Sequence, residues 1–198
     1  MKHTRTITAA LAAALIGTAG LAGLATDGLA QERAARERTV RVGGAPMYPS
    51  KTIVENAVNS KDHTTLVTAV QAAGLAQTLS GPGPFTVFAP TNAAFGKLPP
   101  GTVETLVRPE NKQKLTQILT YHVVPGRLTA RELQRMVKEG GGTATLRTVA
   151  GGDLTVQSAG KGRLRITDAA GNRSTVTIPD VLQSNGVIHV VNGVLLPG

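Results

Sequence analysis

The sequence predicts an α+β fold, and three observations carry that prediction. Helix start and stop signals crowd residues 52–142, strand-like runs fill residues 143–197, and the two periods do not alternate as a parallel α/β fold would require. Thr52 and Glu55 have capping-box spacing, and Asp62 is placed to cap a helix with the apolar face Leu66, Val67, Ala69, Val70 and Ala73, closed by Gly74. Next, Pro82, Gly83 and Pro84 form a turn, and Phe85 to Ala89 reads as a strand. Thr91 or Asn92 then caps a short helix carrying Ala93, Ala94 and Phe95. Pro109 suits a first helical position, with Leu115, Ile118, Leu119 and His122 following at helical spacing. A second capping box, Thr129 and Glu132, precedes Leu133, Met136 and Val137, and Gly140 to Gly142 stop that helix. Beyond it, TLRTVAGGDLTVQ reads as two strands around Gly151-Gly152, and GRLRIT, STVTIPDVLQ and GVIHVVNGVLL supply the remaining strands.

The N-terminal region has a different character. Lys2, His3 and Arg5 precede an Ala/Gly/Leu-rich stretch from Ile7 to about Ala25, with small residues before Gln31, the layout of a signal peptide over residues 1–30. Left uncleaved, the same stretch would be a membrane anchor. Residues 31–50, QERAARERTVRVGGAPMYPS, mix charge with Gly-Gly and two prolines and are expected to form a flexible tether. Removing 30 of the 198 residues leaves 168, enough for one domain that needs no disulfide, and the chain has no cysteine to make one. The formal charge of +9 becomes +8 once Lys2, Arg5 and Asp27 are removed, a balance that favours acidic partners. Three Phe, two Tyr and no Trp leave little for base stacking, so nucleic acid is not an expected partner.

Few residues offer chemistry. The histidines at 63, 122 and 189 lack HxxxH or HExxH spacing, and neither a metal nor a cofactor is expected. A nucleophilic hydrolase would need a serine near a histidine; Ser80, Ser158, Ser174 and Ser184 lie in no GxSxG elbow. GGGT at 140–143 lacks the GK[ST] ending of a phosphate loop. His122 and His189, each in an apolar setting, are expected to be buried and bonded to backbone. Arg163 and Arg165 should share one strand face, and a hairpin to residues 172–178 would bring Arg173 beside them as an anion-binding patch.

Three motifs in order, TVFAPTNAAF (86–95), YHVVPG (121–126) and NGVIHVVNGVLLP (185–197), closely resemble those of the fasciclin, or FAS1, domain family, and the resemblance runs from about residue 50 to 198. It is that of a small secreted bacterial member. It implies a β-wedge or sandwich with helices packed on one side, formed by residues 51–198. It also implies a secreted, periplasmic or surface-attached adhesion module, non-enzymatic, whose partner is an extracellular or envelope protein or polysaccharide. Thr91 and Asn92 match the polar pair before the short helix, Tyr121 and His122 the central motif, and His189 the histidine of the last motif. Asn192 stands where an aspartate is often found. Animal members bind integrins near the tyrosine-histidine motif, which makes Tyr121 and His122 candidate binding residues, although no RGD is present. The alternative partner is an anionic polysaccharide or envelope surface, held by Arg163, Arg165 and Arg173.

Overall fold

The computed structural model describes residues 39–198. The signal peptide read over residues 1–30 and the first part of the expected tether lie outside the described residues. Residues 40–47, the later part of that stretch, are folded and form no tether. Strands β1 (Val40–Val42) and β2 (Ala45–Met47) pair antiparallel, Val40 opposite Met47, and bury Val42 and Met47 in the same apolar cluster as Ile53 and Leu66. Gly43 and Gly44 both have positive φ and turn the chain back on itself, so the Gly-Gly pair read as a linker signal is a hairpin turn.

The described residues form seven short helices: α1 (Ile53–Ala57), α2 (Thr64–Ala73), α3 (Ala76–Ser80), α4 (Asn92–Phe95), α5 (Thr102–Leu106), α6 (Lys112–Tyr121) and α7 (Ala130–Glu139), of which α3 and α5 have no expected signal. Both capping boxes are complete, Thr52 with Glu55 on α1 and Thr129 with Glu132 on α7. Asp62 does not cap α2. A 3-10 turn at Lys61–His63 precedes that helix, and the free amide of Thr65 is taken by the Asn92 side chain at 3.0 Å instead. None of these helices is long and apolar enough to cross a membrane.

The remaining strands, β3 (Phe85–Pro90), β4 (Val123–Pro125), β5 (Thr143–Arg147), β6 (Asp153–Ser158), β7 (Leu164–Thr167), β8 (Arg173–Gln183) and β9 (Gly186–Val191), form one sheet in the order β4-β3-β9-β8-β7-β6-β5. All pairings are antiparallel except β3 with β9, where Phe85 lies opposite Gly186 and Phe88 opposite His189. The sheet nearly closes: Val149 N–H donates to the Val123 carbonyl at 2.8 Å, joining the segment after β5 to β4. Two apolar cores result. Val87, Ala89, Ile188 and Val190 face the helices α1, α2 and α6, whereas Phe88 and Val191 join α7 and the inner side of β5–β8. The central strands are therefore buried on both faces, which is why β9 has no exposed residue.

Candidate functional site

Tyr121 and His122, expected at a binding surface, lie inside. Tyr121 ends α6 with no exposed surface; its hydroxyl donates to the Asp153 carbonyl at 2.6 Å and accepts from Ala169 N–H at 3.0 Å. Burial pushes the phenol pKa up. His122 Nε2 accepts from Leu195 N–H at 2.9 Å, which leaves the proton on Nδ1, donated to the Ile118 carbonyl at 2.8 Å. Burial pushes its pKa down to about 4. Both groups clamp separate chain segments together because α6 ends under the sheet, where only backbone partners are available. A binding role at the surface is thereby replaced by a structural one.

His189 follows the same logic on β9. Its Nδ1 accepts from Asp180 N–H at 3.3 Å, its Nε2 lies 2.8 Å from the Leu128 carbonyl, and its ring stacks on Phe88 at 5.7 Å, its register partner. Thr91 caps α4 by accepting from Ala94 N–H at 3.3 Å, and Asn92 ties that helix to the Lys61–Thr65 segment. Asn192 accepts from Thr175 N–H at 2.8 Å through Oδ1, so the amide meets the need that a carboxylate would meet.

Sequence reasoning missed a buried amide network and a serine–histidine pair. Asn185 accepts from Ile53 N–H, the start of α1, and donates to the carbonyls of Leu79 and Gly81; Asn56 bonds Gln183. These contacts join residues more than 100 positions apart, beyond any local pattern. Ser60 Oγ lies 2.8 Å from His63 Nδ1, both residues buried. The spacing S-x-x-H was the available signal. His63 Nε2 has no hydrogen-bond partner: the Ala89 carbonyl faces it without completing a bond, and burial pushes the ring's pKa down. No carboxylate is hydrogen-bonded to this ring, and among the described residues no three histidine or acidic groups converge as metal ligands would.

The arginines do come together. Arg165 pairs with Thr175 and Thr167 with Arg173, so Arg165 and Arg173 are diagonal neighbours on one sheet face, about 7 Å apart. The face is ordered in rows: Thr143, Gln157, Arg165 and Thr175 lie in one register row across β5–β8, and Thr145, Thr155, Thr167 and Arg173 in the next. Intervening residues Ala144, Leu146, Leu154, Val156, Leu164 and Ile166 point into the core. Arg163 continues the outward side of β7, and its backbone bonds Ala159. Among the described residues, none of the three arginines has an acidic partner within 4.0 Å, whereas Arg147 on the same face is paired with Asp153 at 3.0 Å. The guanidiniums of Arg165 and Arg173 lie on adjacent strands, so the array can hold anionic groups spaced about 7 Å apart, with the neutral Thr and Gln side chains of the rows beside them.

Comparison with known proteins gives the same outline. A family model described as Fasciclin domain matches residues 61–197. The chain is 46% identical over 191 residues to protein sll1483 of Synechocystis sp., covering 96% of this chain and 98% of that one. It is 33% identical over 195 residues to immunogenic protein MPB70 of Mycobacterium bovis, covering 96% and 90%. It is 35% identical over 149 residues to transforming growth factor-beta-induced protein ig-h3 of Sus scrofa, 75% of this chain and 20% of that one. Among solved structures, a FAS1 domain pair from the insect cell adhesion molecule Fasciclin I superposes with a TM-score of 0.68 at 22% identity, covering 75% of this chain and 52% of that chain. The likeness to that pair is one of fold, the α+β arrangement expected from the sequence, and this chain spans about half of it.

Proposed function

Because the chain belongs to the fasciclin domain family, we propose that it is an exported or envelope-exposed adhesion module that acts through its surface and catalyses no reaction. In this reading residues 1–30 are a signal peptide, and the protein works outside the cytoplasm, attached to an envelope or extracellular protein. One observation carries it: Tyr121, His122 and His189 are buried and committed to backbone partners, and the Ser60–His63 pair is buried as well, so a partner meets only the surface. The relatives support adhesion as the class of work, since the insect neighbour is a cell adhesion molecule.

A second reading rests on the outward face of β5–β8, where Arg163, Arg165 and Arg173 stand without acidic partners among threonines and a glutamine. An anionic polysaccharide laid along these rows would pair with the guanidiniums and hydrogen-bond the hydroxyls. The two readings separate by salt, because exposed charges are screened beyond about 8 Å at physiological ionic strength. The test is binding of the purified protein to envelope fractions, matrix proteins and acidic polysaccharides at low and high salt, with the Arg165→Ala/Arg173→Ala variant alongside. Capture of a protein that persists at high salt and survives the double substitution supports the adhesion reading. Polysaccharide binding alone, lost with salt and with the two arginines, favours the second. Binding of neither class in any condition overturns both.

A further inference from the structure

Two Asn-Gly pairs, Asn185-Gly186 and Asn192-Gly193, flank β9, and the fold treats them in opposite ways. An asparagine before glycine is open to attack on its side-chain amide by the next backbone nitrogen, because glycine carries no Cβ to obstruct the approach. At Asn185 both ends of that amide are held. Oδ1 accepts from Ile53 N–H at 3.0 Å, and Nδ2 donates to the Leu79 and Gly81 carbonyls at 2.8 and 3.0 Å. Gly186 pairs with Gln183 in the β8–β9 ladder and lies hard against the Phe85 carbonyl. Turning Asn185 Cγ toward the Gly186 nitrogen would break three hydrogen bonds at a buried side chain.

Asn192, just past the end of β9, is exposed. Its Oδ1 accepts from Thr175 N–H at 2.8 Å, which draws electron density away from Cγ and favours attack there. Its Nδ2, the group that would leave, has no hydrogen-bond partner among the described residues. Lys97 Nζ donates to the Asn192 backbone carbonyl at 2.7 Å, at the other end of the peptide group whose nitrogen is the nucleophile. A positive charge at that oxygen stabilises the anion formed when the Gly193 nitrogen gives up its proton. That N–H itself donates to no group among the described residues. Ser174 Oγ lies 3.1 Å from the Gly193 carbonyl oxygen and 3.5 Å from Asn192 Oδ1, so the side chain is folded forward beside residue 193.

We propose that Asn192-Gly193 is a site of self-modification in the folded protein, where the chain converts Asn192 to aspartate or isoaspartate through a cyclic imide. The Gly193 nitrogen bonds to Asn192 Cγ, the Cγ–Nδ2 bond breaks, and the proton lost by the Gly193 nitrogen leaves with the departing ammonia. One water then opens the ring. Addition at Cγ restores the main chain and leaves aspartate; addition at the backbone carbonyl carbon leaves the main chain running through Cγ, as isoaspartate. The aspartate form keeps an acceptor for Thr175 N–H. The isoaspartate form adds a carbon to the main chain just before buried Val194 and Leu195, and so displaces the Leu195 N–H that His122 Nε2 accepts at 2.9 Å and the Leu196 N–H that Asp168 accepts at 2.8 Å. The site is independent of the adhesion reading and of the β5–β8 face.

The experiment is incubation of the full chain at mildly alkaline pH, folded and in guanidinium chloride, followed by peptide mass spectrometry and enzymatic methylation of isoaspartate. In guanidinium both asparagines should convert. In the folded chain Asn192 should convert within about tenfold of its unfolded rate, whereas Asn185, held by three hydrogen bonds, should be slowed about a hundredfold or more. Lys97→Gln, a change at an exposed side chain, should slow Asn192 about two- to fivefold and leave the melting temperature in place. The isoaspartate fraction, separated by ion exchange, should melt below both the parent and Asn192→Asp. An Asn192 that keeps its amide in the folded chain, or equal conversion of the two asparagines there, overturns the site. An unchanged rate in Lys97→Gln overturns the part given to the ammonium, and an isoaspartate form that melts with the parent overturns the displacement of Leu195.

Discussion

Acidification should destabilise this domain well before its carboxylates protonate, and His122 accounts for a calculable part. The fold requires a neutral ring, because Leu195 N–H donates to an unprotonated Nε2. Burial holds the pKa down at about 4, with the Ile118 carbonyl and Asp168 opposing the shift in smaller measure. In the unfolded chain the same ring takes its proton near 6.5. Between those values the unfolded state binds more protons than the folded one, so the stabilisation is intact above pH 6.5 and is lost as pH falls. At about 1.4 kcal/mol per pH unit the interval amounts to about 3 kcal/mol in full, and about 2 kcal/mol of it is gone by pH 5. His63 and His189 are also held low by burial and act with the same sign. Glu55 and Glu132, held low chiefly by the backbone amides of Thr52 and Thr129, lose their contribution only below the ordinary carboxylate value of 4.5. The assay is urea unfolding at pH 7, 6 and 5 followed by circular dichroism, where 2 kcal/mol should move the midpoint by about 1 M. A midpoint that holds constant from pH 7 to 5, or a His122 ring resonance that titrates near 6.5, would refute the reasoning.

Particular contacts give three more expected outcomes. Tyr121→Phe leaves the Asp153 carbonyl and Ala169 N–H without their shared partner and should cost about 1–3 kcal/mol in thermal or urea unfolding; an unchanged melt would mean that the hydroxyl is idle. Gly186→Ala drives a methyl into the Phe85 carbonyl, so the β3–β9 pairing cannot close, and recovery of soluble protein with a native spectrum would contradict the register. Asn192→Asp keeps an acceptor for Thr175 N–H and should stay within about 0.5 kcal/mol of the parent, whereas Asn192→Ala should lose about 1 kcal/mol; equal losses would show that the side-chain oxygen is not what matters.

Local signals were legible in the sequence, and distant ones were not. Thr52 with Glu55 and Thr129 with Glu132 each lie three residues apart, so spacing alone reveals a reciprocal cap. The arginine face was legible for a similar reason, since alternation along β7 and one hairpin place Arg163, Arg165 and Arg173 on one side. Asn92 capping α2 and Asn185 capping α1 escape such reading, because the amide that each serves lies 27 and 132 residues away. Nothing in Asp62 itself says that a 3-10 turn will intervene before α2. Residues 40–47 mislead through composition: their arginine, glycine pair and proline resemble a linker, whereas Val42 and Met47 are buried and Val40 and Ala45 pack beside them. Tyr121 misleads through its position in a family motif associated with binding, whereas its ring has no exposed surface.

The parallel pairing of β3 with β9 has a consequence for how the protein is made. Phe85 finds its partner Gly186 about a hundred residues later in the chain, and at a ribosomal pace of 5–20 residues per second β3 waits roughly 5–20 s for it. During that interval one edge of Val87, Phe88 and Ala89 is bare and strongly strand-forming, the kind of segment that invites pairing with other chains. Newly made protein is therefore most exposed to aggregation between synthesis of its first core strand and its last, and a holding chaperone would find its best target at residues 85–90.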